Sequence, residues 1–304
     1  DVTANYNITK NTNTLKITQR PITVKPKDKE KVYDGTALTN AEVTAEGLPE
    51  GFTFEATASG SQTNAGESAN VVNDGFVIKD ASGKDVTSNY TNVQKVDGKL
   101  TVTKAPLTIT TGSAEKEYDG TALTSEEKTV TGLVNNETVT VTPNGSQTDV
   151  GDSKNTYTID WGTTNKDNYE VTDQLGTLKV TTNDVEIVFT ADDGTKVYDG
   201  VELTVATYKA TGVPTSLSHS ATTSGSQLNV GTSANEIATY KILDSTGKDV
   251  TANFTNIKTV DGELEVTKKP LTITANSENF AYDGTAHSND GFNVEGLVGN
   301  DKIT

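Results

Sequence analysis

Tyr33-Asp34-Gly35-Thr36 returns along the chain as Tyr118-Asp119-Gly120-Thr121, as Tyr198-Asp199-Gly200, and as Tyr282-Asp283-Gly284-Thr285. The spacings are 85 (118 − 33), 80 (198 − 118) and 84 (282 − 198) residues. Such a period is that of tandem domains, since solenoid repeats are nearer ~20–50 residues. Asp folds its carboxylate onto its own backbone and Gly accepts positive φ without a Cβ clash, so Asp-Gly reads as a tight corner. The Tyr before it reads as a buried anchor whose hydroxyl is expected to find a backbone partner at the corner.

Outward from each corner the chain reads as short strands and turns. Phe52-Thr53-Phe54-Glu55-Ala56 and Leu100-Thr101-Val102-Thr103 alternate apolar and polar residues, as half-buried strands do. Turn clusters recur at Ser59–Gly66, Asn144–Gly151 and Ser224–Gly231, each around Gly-Ser-Gln. Lys104-Ala105-Pro106 and Lys268-Lys269-Pro270 mark joints, because Pro suits the start of a strand and cannot donate to a central ladder. Two repeat types alternate. The first and third carry Gly83-Lys84-Asp85-Val86-Thr87 and Gly247-Lys248-Asp249-Val250-Thr251, whereas the second and fourth share Gly132-Leu133-Val134 and Gly296-Leu297-Val298. The expected domains are a C-terminal remnant of type B (1–20), type A (21–104), type B (105–182), type A (183–268) and the N-terminal part of a type B (269–304). Asp1 is expected to lack its pairing partners. No helix is convincing: the best candidate, Ser125-Glu126-Glu127-Lys128, has a capping Ser and acids in the first turn, but Thr129 and Val130 follow at once and both prefer strands. The fold class is all-β: tandem small β-sandwich, Ig-like modules of about seven or eight strands in an elongated array. β-grasp-like modules with at most one short helix each are the alternative.

The 25 basic and 42 acidic residues give a net charge of −17, which disfavours nucleic acid and anionic membrane surfaces. The chain has no Cys, so it can live in an oxidising space without disulfides. No run approaches ~18 apolar residues, so no membrane insertion is expected from this stretch. A signal peptide and a sorting signal are absent and are expected to lie outside a segment that starts and stops in mid-repeat.

Tyr33-Asp34-Gly35-Thr36, Asn89-Tyr90, Leu100-Thr101-Val102-Thr103-Lys104 and their later copies, in the order Lys-x-Tyr-Asp-Gly-Thr after a Pro-Leu-Thr-Ile-Thr strand, then Asn-Tyr, then Gly-x-Leu-x-Val-Thr-Lys, resemble the YDG/MBG-type repeat domains of bacterial surface adhesins. The likeness covers nearly the whole chain. The resemblance implies a long secreted cell-surface protein of tandem modules, often wall-anchored in Gram-positive bacteria. Val201, Phe254 and Asn183-Asp184 are local departures from the pattern.

The residues give little support to catalysis. The two His, His219 and His287, stand at unmatched positions, and no nucleophile–base pattern recurs. No catalytic, cofactor-binding or metal-ligating residue is assigned. Ca²⁺ stays open at Asp80–Asp85, Asp244–Asp249 and Asp192-Asp193-Gly194, but these loops offer few carboxylates and turn formation explains them more simply. A Lys–Asn isopeptide bond would need an apolar pocket that keeps the amine neutral. Lys31, Lys116 and Lys196 recur two before the Tyr, and Asn89, Asn168 and Asn253 recur as well, yet Phe280 holds the Lys position of the fourth copy. Gln62, Gln147 and Gln227 similarly leave a Thr–Gln ester open beside a turn hydrogen bond. The Asn-Tyr dipeptide is expected to form the opposite wall of the Tyr-Asp-Gly core. Asn7, Asn89, Asn136 and Asn253 begin Asn-x-Thr patterns that are incidental in a bacterial protein. The expected function is that of extracellular stalk repeats projecting a distal binding region. They would act as a monomeric rod whose partners are neighbouring repeats of the chain. The alternative is that the repeats themselves bind host glycan or protein.

Overall fold

The computed structural model describes residues 1–303; Thr304, the last residue of the fifth segment, lies outside the described residues. The first repeat contains β1 (Ile22–Pro26), β2 (Lys29–Val32), β3 (Val43–Glu46), β4 (Thr53–Glu55), β5 (Ala58–Ser59), β6 (Gly66–Val72), β7 (Val77–Lys79), β8 (Val93–Lys95) and β9 (Gly98–Thr103). The second contains β10 (Ala105–Thr111), β11 (Ala114–Glu117), β12 (Lys128–Thr131), β13 (Thr140–Pro143), β14 (Gly151–Lys154), β15 (Tyr157–Asp160), β16 (Tyr169–Gln174) and β17 (Thr177–Thr181). The third contains β18 (Ile187–Ala191), β19 (Gly194–Val197), β20 (Tyr208–Thr211), β21 (Ser218–Ser224), β22 (Gly231–Leu243), β23 (Ile257–Val260) and β24 (Gly262–Thr267). β25 (Thr272–Ala275) and β26 (Phe292–Glu295) follow. The fold is all-β, as the alternation predicts, with no α-helix among the described residues.

Each sheet draws its strands from one repeat. In the first, β3-β1-β8 is one mixed sheet and β2-β9-β6-β5 another, with β4 and β7 paired separately. β1 runs parallel to β8 and β2 parallel to β9, so two strand pairs pass together from one sheet into the next. Gly98 stands at that passage because a Cβ there would lie 2.4 Å from the Pro26 carbonyl oxygen. The second and third repeats reuse the plan as β12-β10-β16 with β11-β17-β14, and β20-β18-β23 with β19-β24-β22-β21. Helical structure is confined to single 3-10 turns, including Thr87–Asn89, Lys166–Asn168 and Thr251–Asn253. They end on the Asn of the Asn-Tyr position, and Ser125–Lys128 forms none, with Lys128 opening β12. The reason is local. Asp85, Asn165 and Asp249 each accept the backbone N–H two residues on, at 2.9, 3.1 and 3.1 Å, and so bend the chain there.

Two compact units result. One comprises residues 1–111, 127–143 and 157–175, the other 112–126, 144–156 and 176–304. The first unit holds two apolar clusters, one around Ile22, Val24 and Ile78, the other around Tyr33, Leu100, Val102, Leu107 and Tyr169. The second is centred on Tyr118, Val180, Ile187, Phe189, Ile242 and Phe254. In the second of the first unit's clusters, inward residues alternate at 100 and 102 on β9. The pattern slips by one at exposed Lys104 and resumes at 105, 107 and 109 on β10. The stretch between the first two repeats is therefore core and no linker.

Candidate functional site: the Tyr-Asp-Gly joints

The corner is built from its own side chains. Asp34 Oδ1 accepts from Thr36 N at 2.9 Å, Thr36 Oγ1 at 2.7 Å and Lys31 Nζ at 2.6 Å, while Gly35 takes φ 77°. The Lys31 ammonium and the Thr36 donors hold the Asp34 carboxyl down at about 2. At Asp119 burial opposes ionisation, but Lys116 and Thr121 outweigh it and bring that carboxyl to about 2 as well. Lys196 holds Asp199 at 2.7 Å in the third copy. In the fourth, Phe280 replaces the Lys; His287 Nε2 lies 2.9 Å from Asp283 Oδ1 and its ring stacks on Phe280 at 4.4 Å.

The backbone then aims Tyr33 and Tyr118 at the following repeat. β2 ends where β9 ends, with Tyr33 N donating to Thr103 O at 2.8 Å, and Tyr118 N meets Thr181 O in the same way at 2.9 Å. The ring is thus delivered to the residues that begin the next repeat. Tyr33 is buried edge-on against Tyr169, centroids 5.7 Å apart, and Trp161 stacks on the far side of Tyr169 at 6.1 Å. Both hydroxyls donate to one carboxylate, Tyr33 to Glu137 Oε1 at 2.5 Å and Tyr169 to Glu137 Oε2 at 2.6 Å. Asn135 and Asn136, at φ 51° and 58°, turn the chain so that Glu137 faces inward. Asn168 is buried and locks the first repeat's turn, accepting from Ala65 N at 2.8 Å and donating to Asn64 Oδ1 at 3.1 Å. The Glu137 hydrogen bond raises the Tyr33 pKa, and burial with Glu137 pushes Tyr169 up to about 12.

Tyr118 meets different chemistry. It is buried edge-on against Phe254 at 5.8 Å, and burial raises its pKa while the neighbouring Asn253 side chain opposes that rise. Asn183 Nδ2 donates to Tyr118 O at 2.9 Å, and Ser216 Oγ donates to Asp119 O. A Cβ on Gly120 would lie 2.4 Å from Leu217 Cδ2. At the third corner an acid returns: Asp301 neighbours the Tyr198 hydroxyl and raises its pKa. Type B thus presents a carboxylate to the preceding Tyr, and type A presents an amide, a Ser and a Leu.

This geometry corrects the expected partner of the Tyr hydroxyl and the address of Asn-Tyr, and bears out the turn readings of the Gln residues and the Asp80 and Asp244 loops. The Tyr33 hydroxyl takes a carboxylate rather than a backbone group, because the next repeat covers the corner. Asn-Tyr does wall the Tyr-Asp-Gly core, but it comes from the following repeat: Asn168-Tyr169 serves Tyr33 and Asn253-Phe254 serves Tyr118. The recurring Lys and Asn are not brought together. Each Lys ends in an ion pair with its own corner Asp instead. Gln62, Gln147 and Gln227 make the turn hydrogen bond, each donating at 2.7 Å to the carbonyl two residues on. In the acidic loops Asp80 Oδ1 accepts from Ser82 N, Ser82 Oγ and Lys84 N, and Asp244 Oδ1 from Thr246 and Lys248 in the same pattern. Those oxygens are used by their own loops.

Two groups of residues escape a reading of the sequence. Glu137 is one acid among 42. The other group is Asn70, Asn155 and Asn235, all fully buried. Asn155 Nδ2 donates to Gly112 O at 3.0 Å and Ser125 O at 2.9 Å, and Asn235 Nδ2 to Asp192 O at 2.9 Å and Val205 O at 3.1 Å. Asn70 Nδ2 reaches Asn40 O at 2.7 Å. A signal existed: each ends a Gly-x-Ser-x-Asn run, 37 residues after its Tyr (70 − 33, 155 − 118, 235 − 198).

Residues 103–176 match the YDG domain family. No curated protein matches the chain. Among solved structures, Drosophila N-cadherin EC1-3 is similar over 80% of this chain and 98% of its own, at 8% identity and a TM-score of 0.25. The Sidekick-1 immunoglobulin domains 1–5 are similar over 83% and 59%, at 15% identity and a TM-score of 0.17. Likenesses this low carry no argument about function.

Proposed function

We propose, taking the YDG domain at residues 103–176 as premise, that the chain is a run of structural stalk repeats from a secreted bacterial cell-surface adhesin. The repeats hold a distal binding region away from the cell. The observation that carries this reading is the burial of Tyr33 and Tyr118 in the repeat that follows each. A spacer must transmit position from one end to the other, and repeats that share core residues resist bending at their joints better than repeats on flexible linkers do. The acidic surface, net charge −17, adds self-repulsion along the chain. The sole Trp, Trp161, packs into the first joint, which leaves less aromatic surface for the competing reading of direct glycan binding. Small-angle scattering tests the proposal. A compact globule of this length has a radius of gyration of about 19 Å. The stalk reading expects a value well above that with a rod-like distance distribution, and a profile matching the globule refutes it.

A further inference from the structure

The block that sets type A apart serves the joints only through the Asn-aromatic pair that follows it. In the third repeat Gly247–Thr251 lies between β22 and β23. A cavity of about 580 Å³ opens beside it, with a lining that includes Tyr240, Asp249 and Thr251. These residues lie in one compact unit and in a single repeat. The second repeat has Lys166-Asp167-Asn168 in place of the block and so carries no counterpart of Asp249.

One wall of the cavity is a fixed ring. Tyr240 stacks on buried Phe189, with centroids 5.2 Å and planes 20° apart, and keeps 37% of its surface exposed. Tyr208 and His219 pack on the same Phe189 at 6.2 and 6.0 Å, and Tyr208 Oη meets His219 Nδ1 at 3.2 Å. Rings held in this way lose little freedom on meeting a ligand. The polar wall is held as firmly. Asp249 Oδ1 accepts from Thr251 N at 3.1 Å and from Thr251 Oγ1 at 2.6 Å, and Thr251 Oγ1 accepts in turn from Ile242 N at 2.9 Å. The Thr251 hydrogen bonds hold the Asp249 carboxyl below its ordinary value, so it is ionised at neutral pH. Asp249 Oδ2 has a loose ion pair with Lys241 Nζ at 3.5 Å, and both side chains are exposed.

We propose that this cavity binds a neutral sugar, alone or within an oligosaccharide. The face of an aromatic ring is electron-rich and meets the partly positive C–H bonds of a pyranose face, so Tyr240 supplies the platform. Neighbouring sugar hydroxyls both donate and accept. Asp249 Oδ2 accepts from one, and Lys241 Nζ donates to the next. Charge and polarity select against other ligands. An ionised Asp on a chain of net charge −17 repels phosphate, sulfate and carboxylated sugars. A wholly apolar ligand would strip water from the carboxylate and the ammonium without replacing it.

The first repeat is an internal control. It keeps the Asp85–Thr87 turn, but Phe76 stacks on Phe54 at 5.7 Å where the third repeat has Tyr240 and His219. Val77 stands where the third repeat has Lys241, so the donor is missing. Sugar binding is therefore expected in the third repeat and not in the first. The site adds to the stalk role without depending on it.

Amide chemical-shift mapping of the 304-residue chain tests the proposal, with neutral oligosaccharides of glucose, galactose, mannose and N-acetylglucosamine as probes. The expected result is saturable shifts around residues 240 and 249–255, with a Kd of about 0.1–10 mM, as suits a small open site. Tyr240→Ala and Asp249→Asn should each weaken binding about tenfold or more, whereas Tyr240→Phe keeps the platform and should stay within about threefold. Asp249→Asn retains the Oδ1 that holds the turn and exchanges the outward acceptor for a donor, so it separates ligand contact from folding. Three results overturn the proposal: no saturable shift at these residues with any probe at about 50 mM, binding that survives both Tyr240→Ala and Asp249→Asn, or a polyproline peptide that binds there more tightly than every sugar.

Discussion

Replacing Glu137 by Ala is the sharpest probe of the first joint. The carboxylate accepts two hydroxyl hydrogen bonds, from Tyr33 at 2.5 Å and Tyr169 at 2.6 Å, and both rings are buried. Hydrogen bonds to a charged group contribute about 1.5–3 kcal/mol each, and an orphaned buried hydroxyl costs about 1–3 kcal/mol. Two features reduce the loss. Tyr169 Oη still accepts from Val134 N at 3.2 Å, and Glu137 is only half-buried, so water reaches part of the vacated space. The net expectation is about 2–4 kcal/mol, or roughly 5–15 °C in melting temperature for a unit of this size. Urea titration followed by fluorescence reports on this joint directly, because Trp161 is the chain's one Trp and stacks on Tyr169. A double-mutant cycle with Tyr33→Phe should give a coupling of about 0.5–3 kcal/mol. Glu137→Gln keeps one acceptor oxygen and should lose less than Ala does. A Glu137→Ala variant within about 0.5 kcal/mol of the parent, or a cycle with no coupling, would mean the shared carboxylate does not hold the joint together.

The remaining predictions concern the staples, the corners and pH. Asn155→Leu removes donors to two backbone carbonyls and should cost about 2–3 kcal/mol, with faster amide exchange across residues 112–125 as the local readout. Gly120→Ala should destabilise by well over about 1 kcal/mol, because φ is 80° and the new Cβ meets Leu217, whereas Gly83→Ala, at φ 82° in open space, should cost only the backbone term of about 1 kcal/mol in the same thermal melts. The Asp119 carboxyl, lowered from 3.8 to about 2, stabilises the fold above its unfolded pKa and loses that contribution as pH falls from about 4 to 2. A carbon-detected titration should find it there, and Lys116→Ala should move it upward. Tyr169, raised from 10.0 to about 12, has the opposite sign: its contribution is complete below pH 10 and is lost as pH rises towards 12, a slope that Tyr169→Phe should flatten in alkaline melts.

The strands were legible because half-burial forces alternation, as at β9 and β17, and the corners were legible because Asp-Gly has few other uses. The pairing of corner with Asn-Tyr was legible in kind but not in address. A period shows that Tyr33, Asn89 and Asn168 recur, but it cannot show which copy faces which. That follows from the parallel pairing of β2 with β9, which carries the ring to the joint. The lack of a helix at Ser125–Lys128 was legible in the strand preference of Thr129 and Val130, which enter a sheet, while the Ser125 carbonyl is taken by Asn155. Glu137 was hidden because its meaning depends on two tyrosines, 104 and 32 residues away. The Asn70, Asn155 and Asn235 set was hidden differently. Its periodicity was visible, but Asn after Ser and Gly resembles turn chemistry, and only burial separates the two.

The alternation of acid and amide at successive joints also bears on how such a gene can change length. Unequal recombination between repeats adds or removes whole copies. Loss of two consecutive repeats, about 165 residues (198 − 33), sets a Tyr33-type corner against another carboxylate-bearing neighbour, as Tyr198 meets Asp301. Loss of one repeat instead sets Tyr33 against the Phe254 and Leu217 surroundings that Tyr118 meets, without the acid. Copy number in this tract therefore keeps the alternation of acid and amide when it changes in even steps and breaks it when it changes in odd ones.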